Sequence, residues 1–193
     1  MKQPKKKKVI TVQDTALIGM MATIILVSKE MLSFLPNIEL VSFWIIIFTI
    51  FFGWRIAYVV PIFVLVEGML YGMGIWWVMY LYIWPLLAFF AYLFRKQKSV
   101  LFWSVLSGAF GLSFGLLCAI PYVVIGAVGR GIRGGLYAGF TWWIAGIPMD
   151  IRHCIGNFVF MLVLFYPVRT GMTKVMKILN LPPHCSSQAV KKK

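Results

Sequence analysis

The sequence has little charge, and acidic charge is especially scarce. Only 12% of its residues are charged, five are acidic and two are histidine, whereas 61% are hydrophobic. Soluble domains usually carry about 25% charged residues, so this composition excludes an ordinary water-facing surface. His153 and Cys154 have no second pair of ligands at zinc-site spacing. We therefore predict no metal site and no cofactor.

Recognisable catalytic motifs are also missing. The sequence has no nucleophile elbow and no H-E-x-x-H motif, so we predict that the protein is not an enzyme. An intramembrane enzyme stays open as an alternative, because Asp150 and His153 together could support acid–base chemistry. Glycines at 129–134 spell G-x-G-x-x-G, but no strand precedes them, which excludes a dinucleotide-binding reading.

Long apolar runs fill most of the chain. Each is long enough to cross a hydrocarbon core of about 30 Å as a helix. We predict an all-α integral membrane protein with six transmembrane helices. The predicted apolar segments cover 12–34, 39–52, 57–71, 75–94, 100–128 and a sixth helix that starts at Pro148 and ends before Pro167. We expect a kink or break at Pro121, a glycine-rich loop at 129–135, and a short segment at 136–145 that is re-entrant or leads into the sixth helix.

The basic residues predict how the chain is oriented. With both termini cytoplasmic, 15 of the 19 basic residues lie inside, all but Lys29, Arg130, Arg133 and Arg152. The positive-inside rule favours this arrangement. It divides the chain into a basic cytoplasmic tail (1–11), a six-helix transmembrane substrate-binding domain (12–168) and a basic cytoplasmic C-terminal tail (169–193). The net charge of +14 is then explained by basic residues at the margins of the lipid bilayer, where they set the orientation of the chain. We therefore expect no nucleic-acid partner.

Several charged residues lie away from the predicted cytoplasmic side of the membrane. In this orientation four acidic residues fall in the outer half of the protein together with the four remaining basic residues. Ionisable groups in spanning segments are costly and often functional. They indicate either a polar cavity open to the outside or interfacial residues that pair with each other. The acidic residues are Glu30, Glu39, Glu67 and Asp150.

The sixth predicted helix carries the densest polar cluster. Asp150, His153 and Asn157 are spaced three and four residues apart, so they share one helical face. This face either contacts a ligand or joins helices through polar contacts within the bundle. We take all three as candidate substrate-binding residues. Arg152 beside them, and Arg130 in the preceding loop, are further candidates.

Aromatic residues lie in the same outer zone. Tyr80 and Trp84 are one helical turn apart on the fourth predicted helix, where they either stack on a flat ligand ring or belong to the interfacial aromatic belt. Glu67 on the third helix could add a carboxylate to the same pocket. Mixed charges and aromatic rings are compatible with a flat heterocycle that carries polar substituents.

Three sequence stretches carry a family resemblance: LPNIELV at 35–41, PIFVLVEG at 61–68 and GIPMDIRHCIGNF at 146–158. Over about 16–167 the chain resembles the substrate-binding (S) components of energy-coupling factor (ECF) transporters. The resemblance implies a prokaryotic, multi-pass plasma-membrane protein that binds a vitamin-like molecule on the outer side. In that family the loop between the first two helices covers the substrate, which corresponds here to residues 33–39, with Glu39 as a candidate contact.

The resemblance also implies partners. An S component delivers its substrate inward together with a transmembrane coupling subunit and two ATP-binding subunits. Small residues on the first helix contact the coupling subunit in that family. The corresponding residues here are Ala16, Gly19, Ala22 and Thr23, although they do not spell the literal Ala-x-x-x-Ala motif and could equally pack within the bundle. A stand-alone secondary transporter is a second alternative, but no clear inverted repeat is visible.

Overall fold

The computed structural model describes residues 10–178, and within this range every regular element is helical. The all-α prediction is confirmed. Nearly all of the predicted N-terminal tail and the last part of the C-terminal tail lie outside the described residues. Six α-helices follow one another in this described part of the chain: α1 (Val12–Met31), α2 (Val41–Phe52), α3 (Ile56–Tyr71), α4 (Ile75–Leu93), α5 (Val100–Cys118) and α6 (Ile120–Ile178).

Several of these helices have the length and composition of membrane spans. Four helical stretches qualify: α1, α4, the stretch Val41–Tyr71 and the stretch Val100–Ile178. The stretch Val41–Tyr71 contains α2, a short 3-10 turn and α3, and the stretch Val100–Ile178 contains α5 and α6. These apolar helices identify the protein as a membrane protein.

Helix α2 forms the centre of the bundle. Ten of its 12 residues are buried, and it packs against α1, α3, α4 and α6. At about 1.5 Å per residue it is about 18 Å long, shorter than a hydrocarbon core of about 30 Å. Its sequence is almost entirely apolar because its neighbours surround it on all sides.

The end of the bundle that contains the start of α1 is held by ionic contacts. The side chain of Thr11 accepts a hydrogen bond from the Asp14 backbone and the Asp14 carboxylate accepts one from the Thr11 backbone, which is a capping box. Asp14 also pairs with Arg55 before α3, at 2.5 Å. At the same end of the bundle, Arg169 on α6 donates a hydrogen bond to the backbone carbonyl of Lys98 in the α4–α5 loop, at 3.5 Å. The opposite end contains the ends of α1 and α3 and the starts of α2 and α4.

The predicted course of the chain after residue 118 is right at Pro121 and wrong beyond residue 128. The break expected at Pro121 is present, because α5 ends at Cys118 and α6 begins at Ile120, and helical geometry then continues past residue 128. The glycine-rich segment is not a loop of seven residues, because only Arg130 (φ −135°, ψ 15°) and Gly131 (φ 69°, ψ 177°) leave helical geometry. Residues 136–145 are part of α6 and lead directly into the predicted sixth helix, which was one of the two alternatives for this segment. Pro148 and Pro167 lie inside this helix instead of marking its start and its end.

The two arms of α6 fold back on each other at that kink. A Cβ atom built on Gly126 would lie 3.0 Å from the Cα of Gly135, so the arms approach at backbone distance. Gly131 has a positive φ, which a glycine adopts without steric cost. Prolines inside helices are tolerated in membranes when neighbouring groups satisfy the freed carbonyls, which explains why Pro148 does not end the helix.

Glycines on α5 let the second arm of α6 approach closely. A Cβ on Gly111 would lie 2.8 Å from the carbonyl oxygen of His153. On Gly108 it would lie 3.3 Å from the Cβ of Phe158. Because these contacts involve helix backbones, α5 fixes the depth and rotation of the α6 face that carries His153.

Candidate functional site

A cavity of about 370 Å³ lies at the end of the bundle where α1 and α3 end and α2 and α4 begin. The α1–α2 loop covers it and contributes residues 32, 33 and 35–39 to its lining. The helices contribute Lys29, Glu30, Tyr71, Tyr80, Phe114 and His153. We call this space the loop cavity. Its volume is within the range of about 300–1,000 Å³ typical of small-molecule pockets.

The covering loop is built from consecutive turns. The amide of Ser33 donates to the carbonyl of Glu30 at 3.1 Å, and the amide of Leu35 donates to Leu32 at 2.9 Å. The amide of Ile38 then donates to the carbonyl of Leu35 at 3.3 Å. Asn37 adopts φ 58°, a left-handed conformation that asparagine tolerates better than most residues. These local bonds give the loop a defined shape over the cavity.

An ion pair crosses the floor of the loop cavity. The Lys29 ammonium on α1 pairs with the Glu67 carboxylate on α3, which is fully buried. The second Glu67 oxygen, Oε1, has no hydrogen-bond partner. Lys29 also lies 5.3 Å from the ring centroid of Tyr71 and 5.9 Å from that of Tyr80, within cation–π range. The Tyr71 hydroxyl donates to Glu30.

His153 and Glu39 face each other on the opposite wall. Their closest atoms, Nε2 and Oε1, are 3.5 Å apart, and Nε2 makes no hydrogen bond although the His153 side chain is 95% buried. Phe114 on α5 packs against the imidazole ring edge-to-face at 4.8 Å between centroids. Buried polar atoms are usually hydrogen-bonded, so an unpaired Nε2 at a cavity wall is available to a ligand.

Burial raises the pKa of Glu39, in the covering loop, to about 7. Lys29 acts in the opposite direction, and the Glu67 carboxylate adds to the rise. Tyr80 from α4 and His153 from α6 also face this carboxylate. The protonation state of Glu39 therefore changes near neutral pH, where the charge of the cavity changes with it.

We expect the stability of the ligand-free protein to fall as pH rises from about 4.5 to about 7 through Glu39. In this window the folded chain binds more protons at Glu39 than the unfolded chain does, so the free energy of unfolding decreases with pH. The melting temperature in detergent, measured against pH, should show this decrease in the wild type and lose it in Glu39→Gln. Glu30→Gln, at the exposed rim, is the control. Parallel curves for wild type and Glu39→Gln would contradict the assignment.

Three of the nine predicted substrate-binding residues line the loop cavity: Glu39, Tyr80 and His153. A fourth, Glu67, lies behind Lys29 and reaches the cavity through the ion pair. The interfacial-pairing alternative is also realised in part, because Lys29 pairs with Glu67. The polar cavity and the ion pair occur together.

Asp150 and Asn157 share the helical face of His153 but do not line the cavity. Asp150 accepts a hydrogen bond from the backbone of Gly115 on α5 at 2.9 Å. Asn157 donates to Ser42 on α2 at 3.2 Å and to the carbonyl of Ser107 on α5 at 3.3 Å. Both are buried, and their bonds join helices. For these two residues the geometry favours the interhelical alternative.

Three further candidates lie elsewhere. Trp84 is completely buried among Phe63, Phe110 and Phe114, so it has no free face for a ligand ring. Arg130 is exposed at the kink of α6. Arg152 is exposed and borders a separate apolar groove, which is also lined by Ile38, Ile155, Gly156, Val159 and Phe160.

The small residues predicted to contact a coupling subunit divide between two faces of α1. Ala16, Gly19 and Thr23 are exposed, whereas Ala22 is 2% exposed and packs in the core. A Cβ built on Gly19 would meet nothing within 4 Å. The exposed three form an open strip on the bundle surface.

Sequence reasoning missed Lys29, Glu30, Tyr71 and Phe114 as site residues. Lys29 and Glu30 were recognised only as charges outside the expected pattern. Their position directly before the covering loop was the available signal. Tyr71 lies one turn after Glu67, which also suggested a shared pocket. Phe114 had no signal, because one phenylalanine in an apolar helix looks like the others.

Among residues 10–178, no group of three or more histidine, cysteine or acidic side chains could hold a metal ion. The loop cavity is a space lined by polar and aromatic side chains in a helical membrane protein. No known family model matches the chain, and no curated protein or solved structure matches it either.

Proposed function

We propose that this protein is the substrate-binding component of an ECF-type importer, and that the loop cavity captures a vitamin-like molecule. One observation carries the proposal: a cavity of about 370 Å³, covered by a loop, with a buried and unpaired imidazole nitrogen on its wall. Such a combination of shape and unsatisfied polar atoms is typical of ligand pockets. The sequence resemblance at 35–41, 61–68 and 146–158 supports the same function.

The charge distribution supports an outward-facing cavity. Arg55, Arg169 and the loop at 95–98 lie at the end of the bundle opposite the loop cavity. Under the positive-inside rule that end is cytoplasmic. In this proposal six crossings leave both termini in the cytoplasm of a prokaryotic cell, and the substrate enters from outside.

The partners follow from what such a component needs. A coupling subunit and two ATP-binding subunits supply the energy, because a binder alone releases nothing against a gradient. The exposed strip of Ala16, Gly19 and Thr23 is compatible with close approach of another helix. The protein itself does no chemistry, and its ligand leaves unchanged.

A thermal-shift screen of the detergent-purified chain against vitamins and their precursors tests this function. A ligand at 100 times its dissociation constant stabilises the folded state by about 2.7 kcal/mol. Ser33→Trp puts an indole into the cavity and should abolish the shift. Phe34→Trp is the matched control, since Phe34 is 74% exposed and does not line the cavity.

Three outcomes would count against the proposal. A shift that survives in Ser33→Trp would locate binding elsewhere. Recovery of a chemically altered ligand by mass spectrometry would favour the enzyme alternative. Uptake into liposomes by this chain alone, driven by an ion gradient, would favour a secondary transporter.

A further inference from the structure

We propose that the molecule held in the loop cavity carries a positively charged nitrogen on or next to a flat ring. This inference rests on the function proposed above and narrows the substrate class. It follows from the balance of charge in the cavity, from the aromatic faces around Lys29 and from the arrangement of unpaired buried atoms.

Acidic residues are concentrated at this cavity. The whole chain has five acidic residues against 19 basic ones, yet Glu30 and Glu39 line this one space and Glu67 lies directly behind Lys29. Among the described residues that line it, Lys29 is the one lysine or arginine. Lys29 forms its ion pair with Glu67 and acts on Glu39 only through its charge, so among the described residues neither Glu30 nor Glu39 forms an ion pair with a lysine or arginine. A cationic ligand would supply a partner for them.

The aromatic residues already hold a cation. The Lys29 ammonium lies over the rings of Tyr71 and Tyr80 while it pairs with Glu67. Two ring faces next to carboxylates are the arrangement that binds ammonium and quaternary nitrogen groups. Phe114 adds a third ring on the α5 side. On its Glu39 side the cavity therefore offers a second cation a carboxylate with aromatic rings nearby.

Two unpaired buried atoms separate this site from a simple acidic cluster. His153 Nε2 lies on the cavity wall with its side chain 95% buried, and Glu67 Oε1 is buried without a hydrogen-bond partner. The gap of 3.5 Å between His153 and Glu39 is too long for a good hydrogen bond. A polar ligand atom placed to one side of the pair, at hydrogen-bond distance from each, could bond both.

The arginines do not favour an anionic substrate. Arg130 and Arg152 do not line the loop cavity, and neither does Arg133. An anion placed beside Glu39 would meet carboxylates, and Lys29 would have to leave Glu67 to pair with it. Leaving Glu67 buried without a partner is strongly unfavourable.

Matched ring compounds of different charge test the inference. In each of three series, built on pyridine, pyrimidine and imidazole, a cationic, a neutral and an anionic form of the same ring are compared. For pyridine these are 1-methylnicotinamide, nicotinamide and nicotinate. Dissociation constants are measured at pH 8 by calorimetry on the full chain. We expect the cation to bind at least tenfold more tightly than its neutral and anionic counterparts.

Glu39→Gln should remove most of this preference, and Arg133→Gln, a charge change outside the cavity, should keep it. In the wild type, the affinity for the cation should rise as pH increases through about 7, because Glu39 ionises there. The groups that face the Glu39 carboxyl are Lys29, Glu67, Tyr80 and His153. The double variant Lys29→Met/Glu67→Gln, which removes both charges of the pair, should still prefer the cation.

Equal or tighter binding of a neutral or anionic form would overturn the cation inference and leave the proposed function intact. Loss of all binding in the double variant would also overturn it, because Lys29 would then be the ligand's partner. If no compound in these series or in the vitamin screen binds the folded wild-type chain, both the inference and the proposed function fail.

Discussion

Lys29→Met should lower the free energy of unfolding by about 3–5 kcal/mol, the range seen when one partner of a buried ion pair is removed. The reason is the position of its partner. Glu67 is fully buried, and without Lys29 its carboxylate has no compensating charge. Methionine keeps most of the volume of the lysine side chain, so packing loss adds little. Unfolding in detergent, followed by denaturant titration, measures the change.

Removing the acidic partner of the ion pair should lower the free energy of unfolding by less. Glu67→Gln leaves an ammonium that is 21% exposed and can extend toward water, so we expect a loss on the order of 1–2 kcal/mol. The double variant should regain most of the loss seen in Lys29→Met. If Lys29→Met is as stable as the wild type, or if the two single variants have the same free energy of unfolding, then the buried Glu67 carboxylate does not depend on Lys29 in the way proposed.

His153→Ala should weaken ligand binding at least tenfold, equivalent to about 1.4 kcal/mol, with a smaller effect on stability. The imidazole lies on the wall of the loop cavity, and its unpaired Nε2 is the polar atom that a ligand can reach. His153→Gln keeps a polar side chain at this wall and should retain part of the affinity. Calorimetry with the compound identified in the screen gives the comparison.

Asn157→Ala is the matched control on the same helical face. It should lower stability by about 1–3 kcal/mol, because Ser42 and the Ser107 carbonyl lose their hydrogen-bond donor. Its effect on affinity should be within about twofold, since its bonds lie outside the cavity. The opposite result, with affinity lost in Asn157→Ala and kept in His153→Ala, would move the site one turn along α6.

The first four helices were predictable to within a few residues because their ends have local chemical signals. The basic cluster after α4 and the Gly-Met-Gly turn before it are examples. The region after Cys118 was not predictable in the same way. Pro148 and Pro167 are helix breakers in water, but both lie inside α6 here, as membrane helices tolerate. Pro121 stands in the first turn of α6, a position that suits proline. The chain reverses at Arg130 and Gly131 alone.

The candidate site was predictable in part. The charges predicted to lie outside and the loop at 33–39 indicated the end of the bundle where the loop cavity lies. The three-and-four spacing on α6 indicated the helical face that carries His153, but it could not rank the turns along that face. Asp150 is hydrogen-bonded to α5 and Asn157 to α2. His153, which lies between them along the helix, lines the loop cavity. The close approach of α5 at Gly111, a contact distant in sequence, sets that register.

The sequence by itself determined that this is a helical membrane protein with charges concentrated at its ends, because hydropathy and charge are local properties that the bilayer acts on directly. The tertiary structure decided which of those charges meet. Lys29 and Glu67 are 38 positions apart, and Glu39 and His153 are more distant still. Whether such residues form a bond, a binding wall or a packed core depends on how closely the helices approach, and that distance is set by small residues on other helices.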